Sequence, residues 1–336
     1  MPWRLSEFDR IDRYFRPLAE GYDGSLSLTN DGAILPSGEG ERVITTDTMV
    51  EGTHFLNGTD PHLLAQKLLR VNLSDLGAMG AKPEAYLLNL TLPSYVDEAW
   101  LQAFSDGLYR DQSTFGLHLA GGDTTSTDSQ QLVMTITMFG QVPAGQAIRR
   151  DGAKVGDAVL VSGTVGDGLL GLMAAMGGLG MLQPAERDAL IKRYNLPNPR
   201  VRLGQQLWQH GVRAAADVSD GLLADLGHIC AASGVFAKVD LARLPFSVPA
   251  RAAIDGGYIE AKALAAGGDD YELVFTAPEG AAEALIAEVG QDPTLGKISI
   301  IGRIVEVEGQ GGKASLVGED GAPISMDATG WQHGQE

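Results

Sequence analysis

The sequence predicts a two-domain protein of mixed α/β (α+β) structure. Its 336 residues are enough for two domains that each bury a core. Apolar segments of strand and helix type follow one another in the order β-α-β-α-β-β over the first 142 residues, which is typical of an α/β or α+β domain. A stretch with Pro143 and three glycines at residues 143–156 then separates two halves. We therefore expect domains at 1–142 and 143–336.

The first half begins with apolar residues at helical spacing from Leu5 to Phe15. Residues 21–41 are rich in Gly, Ser, Asn and Asp, which indicates a loop with one short strand. The next expected elements are a strand from Val43, a helix from Pro61, a strand at 86–92, a helix at 97–115, a strand at 117–120 that enters a Gly-Gly turn, and a strand at 131–142.

The second half opens with an apolar strand at 158–162. A glycine-rich turn and helix, a helix around 186–194 and a helix from Pro199 are expected to follow. An irregular segment is expected from the end of the strand at 236–241 to about residue 270. The remaining predictions are strands at 214–218, 271–276, 298–307 and 314–317, and helices at 222–232 and 280–289.

Charge and composition narrow the possible partners and the expected location. The net charge is −18 and no run of Lys or Arg occurs, so we expect no nucleic-acid partner. Cys230 is the only cysteine, which excludes an internal disulfide and fits a buried thiol. The first twenty residues carry charges of both signs, and residues 168–185 are uncharged but contain five glycines. We therefore expect a cytoplasmic protein without a membrane span.

A stretch rich in oxygen donors at residues 43–55 suggests cation binding. Thr45 and Thr46 lie on the expected strand, Asp47 ends it, a Glu-Gly turn follows, and His54 comes next. Hard cations such as Mg²⁺ prefer oxygen ligands of this kind. His54 alone is consistent with a core, a surface or a ligand-contacting histidine.

Other aspartates follow expected strands or share helix faces. They are Asp31, Asp75, Asp123, Asp217, Asp220 and the pair Asp269-Asp270. Each could be a turn former, and Asp220 could cap the helix that begins near Gly221. Gathered in one cleft, such carboxylates would repel one another unless cations neutralised them. Because Mg²⁺ binds carboxylates together with substrate phosphates, the pattern favours phosphoryl transfer or nucleotide-dependent ligation.

Two common nucleotide-binding patterns do not account for this chemistry. No G-x-x-x-x-G-K-[ST] motif occurs, which excludes a P-loop enzyme. A G-x-G-x-x-G pattern occurs at 166–171, but no strand ending in an acidic residue follows at the required spacing. Turn glycines and helix packing explain it better. Arg150, at the expected domain junction, could bind phosphate or be solvated.

The motifs, taken in order, resemble the thiamine-monophosphate kinases. They are T-T-D-T-M-V-E-G-T-H-F at 45–55, N-L-S-D-L-G-A-M-G-A at 72–81, G-G-D-T-T at 121–125, R-D-G-A-K-V-G-D at 150–157, D-V-S-D-G-L at 217–222 and G-G-D-D-Y-E-L at 267–273. The resemblance implies the two-domain aminoimidazole ribonucleotide synthetase-like fold. It also implies ATP-dependent phosphorylation of thiamine monophosphate to thiamine diphosphate with several Mg²⁺ ions. A homodimer is implied, with the N-terminal strands forming a barrel between subunits.

The resemblance also implies roles for individual residues. Those implied to bind metal are Thr45, Thr46, Asp47, Asp75, Asp123, Asp217 and Asp220, and four of them, Asp47, Asp75, Asp123 and Asp220, would carry the chemistry. The implied nucleotide contacts are Gly122, Asp123, Arg150 and Ser219. His54, Asp269 and Trp331 would hold the thiamine substrate, and an aromatic ring suits a cationic thiazolium.

The sequence departs from the family pattern at two positions. Asn30 stands where the family has a metal-binding Asp, and Asp269 stands where Glu is common. An amide oxygen still ligates Mg²⁺ but brings no charge. The alternatives are another ATP-using member of the superfamily or a non-catalytic thiamine-phosphate- or nucleotide-binding protein. Selenophosphate synthetase is disfavoured because the sole cysteine is Cys230 rather than one near the N-terminus.

Overall fold

A computed structural model describes residues 11–23, 25, 38–306, 312–326 and 328–331. Leu5 and Phe8 of the expected first helix, and Asn30 and Asp31, lie outside the described residues. The chain forms two compact units, one made of Met1–Leu76 with Ala81–Gly145 and the other of Gly77–Gly80 with Gln146–Glu336. The sequence places the boundary at 142/143, whereas this division falls between Gly145 and Gln146.

The described residues of the first unit form a four-stranded sheet and two long helices. Its elements are β1 (Glu41–Val50), α1 (Pro61–Ala78), β2 (Lys82–Pro93), α2 (Glu98–Phe115), β3 (His118–Thr127) and β4 (Val133–Val142), preceded by short helical turns at Ile11–Phe15 and Arg16–Ala19. The strand order in the sheet is β1-β4-β2-β3. Only β2 and β3 run parallel among these pairs. The predicted β-α-β-α-β-β order is confirmed.

Helix α2 shows how local sequence fixes the helices of this unit. The Asp97 side chain caps its N-terminus by accepting a hydrogen bond from the Trp100 backbone N–H, and Gly116 ends the helix in a left-handed conformation. Gly107 allows α1 to approach closely, because a Cβ there would lie 2.3 Å from the His62 carbonyl oxygen. Substitution at Gly107 would therefore force the two helices apart.

Strand β3 differs from the prediction. The sequence predicted that the strand would end at residue 120 in a Gly-Gly turn, but it continues to Thr127. A Cβ on Gly122 would lie 1.8 Å from the Leu88 carbonyl oxygen of β2. The glycine therefore permits close approach of two paired strands, and the chain does not turn there.

Within the part of the second unit that the structure describes, helices accompany a six-stranded sheet. Its elements are β5 (Ala158–Ser162), α3 (Asp167–Ala175), α4 (Pro184–Asn195), α5 (Val201–Leu207), β6 (Ala214–Asp217), α6 (Leu222–Ser233), β7 (Phe236–Asp240), α7 (Val248–Asp255), α8 (Ala261–Leu264), β8 (Leu273–Ala277), α9 (Glu279–Val289), β9 (Ile298–Val305) and β10 (Lys313–Val317). The strand order is β10-β7-β9-β5-β8-β6. Helices α7 and α8 lie where the sequence predicted an irregular segment.

Strand β5 lies inside the second sheet with both faces covered. Val159 and Val161 belong to one buried cluster, whereas Ala158 and Leu160 belong to another. This arrangement explains the unbroken apolar run in its sequence, since a strand buried on both faces shows no polar alternation. Cys230 is fully buried in the first of these clusters, as predicted. Burial raises the pKa of its thiol to about 12, so the group is inert.

No helix among the described residues is long and apolar enough to cross a membrane.

Candidate functional site

In the first unit, the oxygen-rich stretch contacts helix α1. The Thr45 hydroxyl of β1 donates a hydrogen bond to the Asp75 carboxylate at 2.5 Å. Asp47 and Asp75 are both half-buried. Because side chains alternate along a strand, Asp47 lies on the same face of β1 as Thr45. Asp47 is inside the strand, which runs on to Val50, and not at its end as the sequence suggested.

Thr46 lies on the opposite face of β1. Its hydroxyl is 3.1 Å from the Thr137 hydroxyl and 3.0 Å from the Ile136 carbonyl oxygen, both on β4. The next outward residue repeats the pattern, with the Thr48 hydroxyl 2.8 Å from that of Thr135. The Thr46 hydroxyl therefore lies on the other face of the sheet from the Thr45 hydroxyl and its partner Asp75. Its assignment as a side-chain metal ligand gains no geometric support.

His54 lies in the turn that follows β1. The Val50 backbone N–H donates to its Nδ1 at 3.0 Å, so the neutral imidazole carries its proton on Nε2. The buried Glu51 carboxylate holds the same turn by accepting hydrogen bonds from the Leu132 N–H, at 3.1 Å, and from the Tyr95 hydroxyl. A proton donor on a fixed turn is suited to contact an anionic or carbonyl-bearing ligand.

Gly122 and Asp123 lie in the exposed part of β3. Asp123 pairs in register with Asn89, whereas Asp47 pairs with Ile136, so the two carboxylates do not share a row of the sheet. Both Asp123 and Asn89 are exposed. The backbone at Gly122 admits no side chain, because the paired backbone of Leu88 on β2 lies against it.

The donor atoms suit a hard cation. The predicted ligands offer carboxylate and hydroxyl oxygens and no thiolate, which is the chemistry that Mg²⁺ prefers. Within the part of the chain that the structure describes, no group of three or more His, Cys, Asp or Glu side chains is positioned to hold an ion. The metal assignments of Thr45, Asp47, Asp75, Asp123, Asp217 and Asp220 stay predictions, and Asn30 lies outside the described residues.

In the second unit, the predicted residues surround one turn. This turn, residues 217–221, joins β6 to α6 and is hereafter the Ser219 turn. It begins at Asp217, which is 4% exposed. The neighbouring segment 268–272 is bound to it, because the Val218 N–H donates to the Glu272 carbonyl and the Tyr271 N–H to the Val218 carbonyl, both at 2.8 Å.

The Ser219 turn also binds the residues predicted to hold the thiamine substrate. The Asp269 N–H donates to the Ser219 carbonyl at 2.8 Å, and the Trp331 N–H donates to the Asp220 carbonyl at 2.9 Å. The Trp331 side chain is 46% exposed, and an indole ring is a group on which a cationic ring can stack. Three segments that are distant in sequence, at 219–220, 269 and 331, are therefore adjacent in this unit.

Asp225 is a site-organising residue that the sequence reading missed. One oxygen, Oδ2, accepts hydrogen bonds from the N–H groups of Ser219, Asp220 and Gly221 at 3.0, 3.1 and 3.2 Å. Burial raises the pKa of Asp225 to about 7, the Asp220 charge adds to the rise, and the three N–H groups oppose it. The only sequence signal was an acidic residue on an apolar face of helix α6.

Asp270 fixes a strained segment beside that turn. Its neighbours Asp269 and Tyr271 have φ values of 66° and 50°, a left-handed conformation that costs about 1–3 kcal/mol for such residues. The fully buried Asp270 carboxylate accepts from the Gly166 N–H at 2.6 Å and the Gly168 N–H at 2.9 Å. These two bonds hold the backbone that presents Asp269.

The glycine pattern at 166–171 is explained by these contacts. Gly166 and Gly168 donate to Asp270, and a Cβ on Gly168 would lie 2.4 Å from the Asp269 carbonyl carbon. A Cβ on Gly171 would lie 2.3 Å from the Leu190 carbonyl oxygen of α4. Turn formation and helix packing therefore account for the pattern, as the sequence reading held.

A buried cluster of ion pairs stabilises the same segment through Asp270 and Glu272. Glu272 is 1% exposed and receives a two-pronged contact from Arg200 at 2.6 and 2.7 Å. Arg193 donates to Glu272 at 2.7 Å and to the Asp270 carbonyl at 2.5 Å. Removing one partner from such a buried cluster costs about 3–5 kcal/mol. Arg150 differs from these arginines, since its side chain is exposed and its nucleotide role stays a prediction.

The two halves of the chain match two domain families, and these matches define the class of protein. Residues 29–142 match the N-terminal domain of AIR synthase related proteins, and residues 154–314 match the C-terminal domain.

Similarity to individual relatives identifies the family within this class. The thiamine-monophosphate kinase of Caulobacter vibrioides is 45% identical over 334 residues, which covers 98% of this chain and 91% of the relative. The crystal structure of thiamine-monophosphate kinase from Stenotrophomonas maltophilia superposes with a TM-score of 0.81 at 39% identity, covering 95% of this chain and 98% of the other. A structure of AaThiL complexed with AMPPCP and TMP superposes with a TM-score of 0.76 at 28% identity, covering 98% and 99%. The chain belongs to the thiamine-monophosphate kinase family, which confirms the resemblance and the two-domain fold.

Proposed function

We propose that this protein uses ATP to phosphorylate thiamine monophosphate to thiamine diphosphate. The observation that carries the proposal is the 45% identity to a thiamine-monophosphate kinase over 98% of the chain. The complex of AaThiL with AMPPCP and TMP supports it, because a protein of the same fold binds an ATP analogue and TMP together. His54, Asp269 and Trp331 are the proposed substrate contacts, and Gly122, Asp123, Arg150 and Ser219 the proposed nucleotide contacts.

The proposed reaction is a direct in-line transfer of the γ-phosphoryl group to the phosphate of the substrate. The acceptor is already an oxyanion, so it needs no strong general base, and the protein contributes position and charge neutralisation. His54 would donate its Nε2 proton in a hydrogen bond to the substrate. The fixed Ser219 turn would hold Asp269 and Trp331 in place around the thiamine part.

Mg²⁺ is the proposed metal, with several ions expected, and the proposed ligands are Asn30, Thr45, Asp47, Asp75, Asp123, Asp217 and Asp220. When bound together with the phosphates, it neutralises their charge and lowers the barrier to transfer. The Thr45 hydroxyl, bound to Asp75, would orient that carboxylate. Because Asn30 brings an amide in place of a carboxylate, we expect weaker binding of one ion than a charged ligand would give.

We also propose a homodimer in the cytoplasm. The support for the dimer is strand β1, which forms an edge of the described sheet and exposes Ile44 at 61%.

The deciding experiment incubates the purified protein with thiamine monophosphate, ATP and Mg²⁺ and quantifies thiamine diphosphate and ADP by chromatography. We expect equal amounts of the two products, neither of which forms when thiamine monophosphate is omitted. Binding of both ligands without product would instead support a non-catalytic binding protein. Product from a different acceptor alone would support another member of the superfamily.

A further inference from the structure

We propose that Asp225 is a positioning residue that sets the Ser219 turn for both substrates. The inference rests on the proposed function, in which Ser219 and Asp220 serve the nucleotide and metal while Asp269 and Trp331 serve the thiamine substrate. Asp225 itself is 3% exposed and contacts backbone groups of the turn. It therefore acts through other residues.

Three consecutive peptide groups of the turn contact the Asp225 carboxylate. The N–H groups of Ser219, Asp220 and Gly221 converge on a single carboxylate oxygen within 3.0 to 3.2 Å. Three consecutive N–H groups reach one acceptor only when the backbone curls around it. Gly221 makes this curl possible, since its φ is 130° and a Cβ would lie 2.7 Å from the Ala266 carbonyl oxygen.

The carbonyl groups of the same turn hold the residues proposed to contact thiamine. The Ser219 carbonyl accepts from Asp269, and the Asp220 carbonyl accepts from Trp331. Asp225 thus binds the N–H side of a turn whose carbonyl side holds the two proposed thiamine contacts. A rotation of these peptides would displace the nucleotide side and the thiamine side together.

A simpler role would be to cap helix α6, which begins at Leu222. A cap alone stabilises the fold without a specific effect on ligands. The two roles differ in what removal of the carboxylate does to the Michaelis constants. They also differ in whether a partly equivalent acceptor restores function.

The experiment compares Asp225→Ala and Asp225→Asn with the wild type and with Asp97→Ala. Asp97 is the matched control, because its carboxylate also accepts a backbone N–H at a helix start, at 2.8 Å, but lies in the other unit. We expect Asp225→Ala to raise KM for both ATP and thiamine monophosphate about tenfold or more, the scale of a small misplacement. Asp225→Asn should recover part of the loss, since its amide oxygen still accepts. Asp97→Ala should lower Tm and leave both KM values near the wild type.

Amide hydrogen exchange provides a readout that does not need activity. Exchange at residues 219–221 should be faster in Asp225→Asn than in the wild type, and unchanged in Asp97→Ala. Wild-type KM values in both Asp225 variants would overturn the proposal, as would equal KM shifts in Asp225→Asn and Asp97→Ala. If Asp225→Ala does not fold, the Asn variant decides by the same criteria. If the wild type formed no product but Asp225→Asn still showed faster exchange at residues 219–221, the proposed function would be contradicted. The structural role of Asp225 in holding the turn would still be supported.

Discussion

Substitution of Asp47 is the most direct test of the proposed chemistry. We expect Asp47→Asn to lower kcat at least about a hundredfold, the scale of losing one key electrostatic contact in phosphoryl transfer. The side chain is half-buried inside β1, and Asn has nearly the same shape, so folding should be preserved. Steady-state kinetics at saturating Mg²⁺, with circular dichroism to check folding, measures the effect. Near-normal turnover in that variant would contradict the site.

Thr45 and Thr46 provide a matched pair at the same scale. The Thr45 hydroxyl binds Asp75, whereas the Thr46 hydroxyl binds Thr137 on the other face of the sheet. We expect Thr45→Val to raise the Mg²⁺ concentration for half-maximal activity about tenfold or more, because one charge-assisted hydrogen bond contributes about 1.5–3 kcal/mol. Thr46→Val should change it less than about twofold, as exposed neutral hydrogen bonds contribute little. A Mg²⁺ titration of both variants decides, and a larger effect at Thr46 would reverse the assignment.

Part of the site could be predicted at the residue scale, and part could not. The types of residue and their motifs were informative, since Ser219, Asp220, Asp269 and Trp331 meet at one turn. Because side chains alternate along a strand, it could be predicted that Thr46 lies on the face opposite Thr45 and Asp47. The motif itself gives no information about the face. Asp225 was missed because its role depends on the curl of the preceding backbone, which sequence spacing does not reveal.

At the scale of elements, the segment around Asp270 combines strain with a buried charge. Burial raises the pKa of Asp270 from 3.8 to about 8, and the N–H groups of Gly166 and Gly168 and the charge of Arg193 oppose the rise, whereas Asp167 adds to it. A carboxyl with a higher pKa in the folded state takes up a proton on folding. Its contribution to stability is therefore fully present below about pH 4 and is lost as the pH rises through about 8.

Asp270→Asn tests this dependence, because Asn does not titrate. We expect the stability advantage of the wild type over the variant to shrink as the pH rises from 5 to 8. Urea unfolding at several pH values in that range measures it. Ile304→Val, which removes one buried methylene group from the apolar core of the same unit, is the control whose difference from the wild type should stay constant. An increase of the stability difference between the wild type and Asp270→Asn with pH would contradict this expectation. It would show that the hydrogen bonds of the ionised carboxylate outweigh the cost of burying its charge.

Elements with strong local signals were predicted, and those governed by contacts were not. Pro61 and Asp97 begin helices where expected, and the apolar run of β5 forms a strand buried on both faces. The pair Gly121-Gly122 was read as a turn, because a turn glycine and a close-approach glycine look alike until the neighbouring strand is known. Helices α7 and α8 were missed since they are short, at eight and four residues.

At the scale of the whole molecule, the exposed edge of the first sheet predicts self-association. Strand β1 lies at an edge of the described sheet and exposes Ile44 at 61%, which leaves backbone groups and an apolar side chain for a partner. We expect the wild type to be a dimer and Ile44→Lys to be a monomer, because pairing would force the ammonium group out of water. Sedimentation velocity measures both states. Val248→Lys is the control, since Val248 is 75% exposed in the second unit and should leave the dimer intact. A dimer in both variants would place the interface elsewhere, and a monomeric wild type would contradict an assembly through β1.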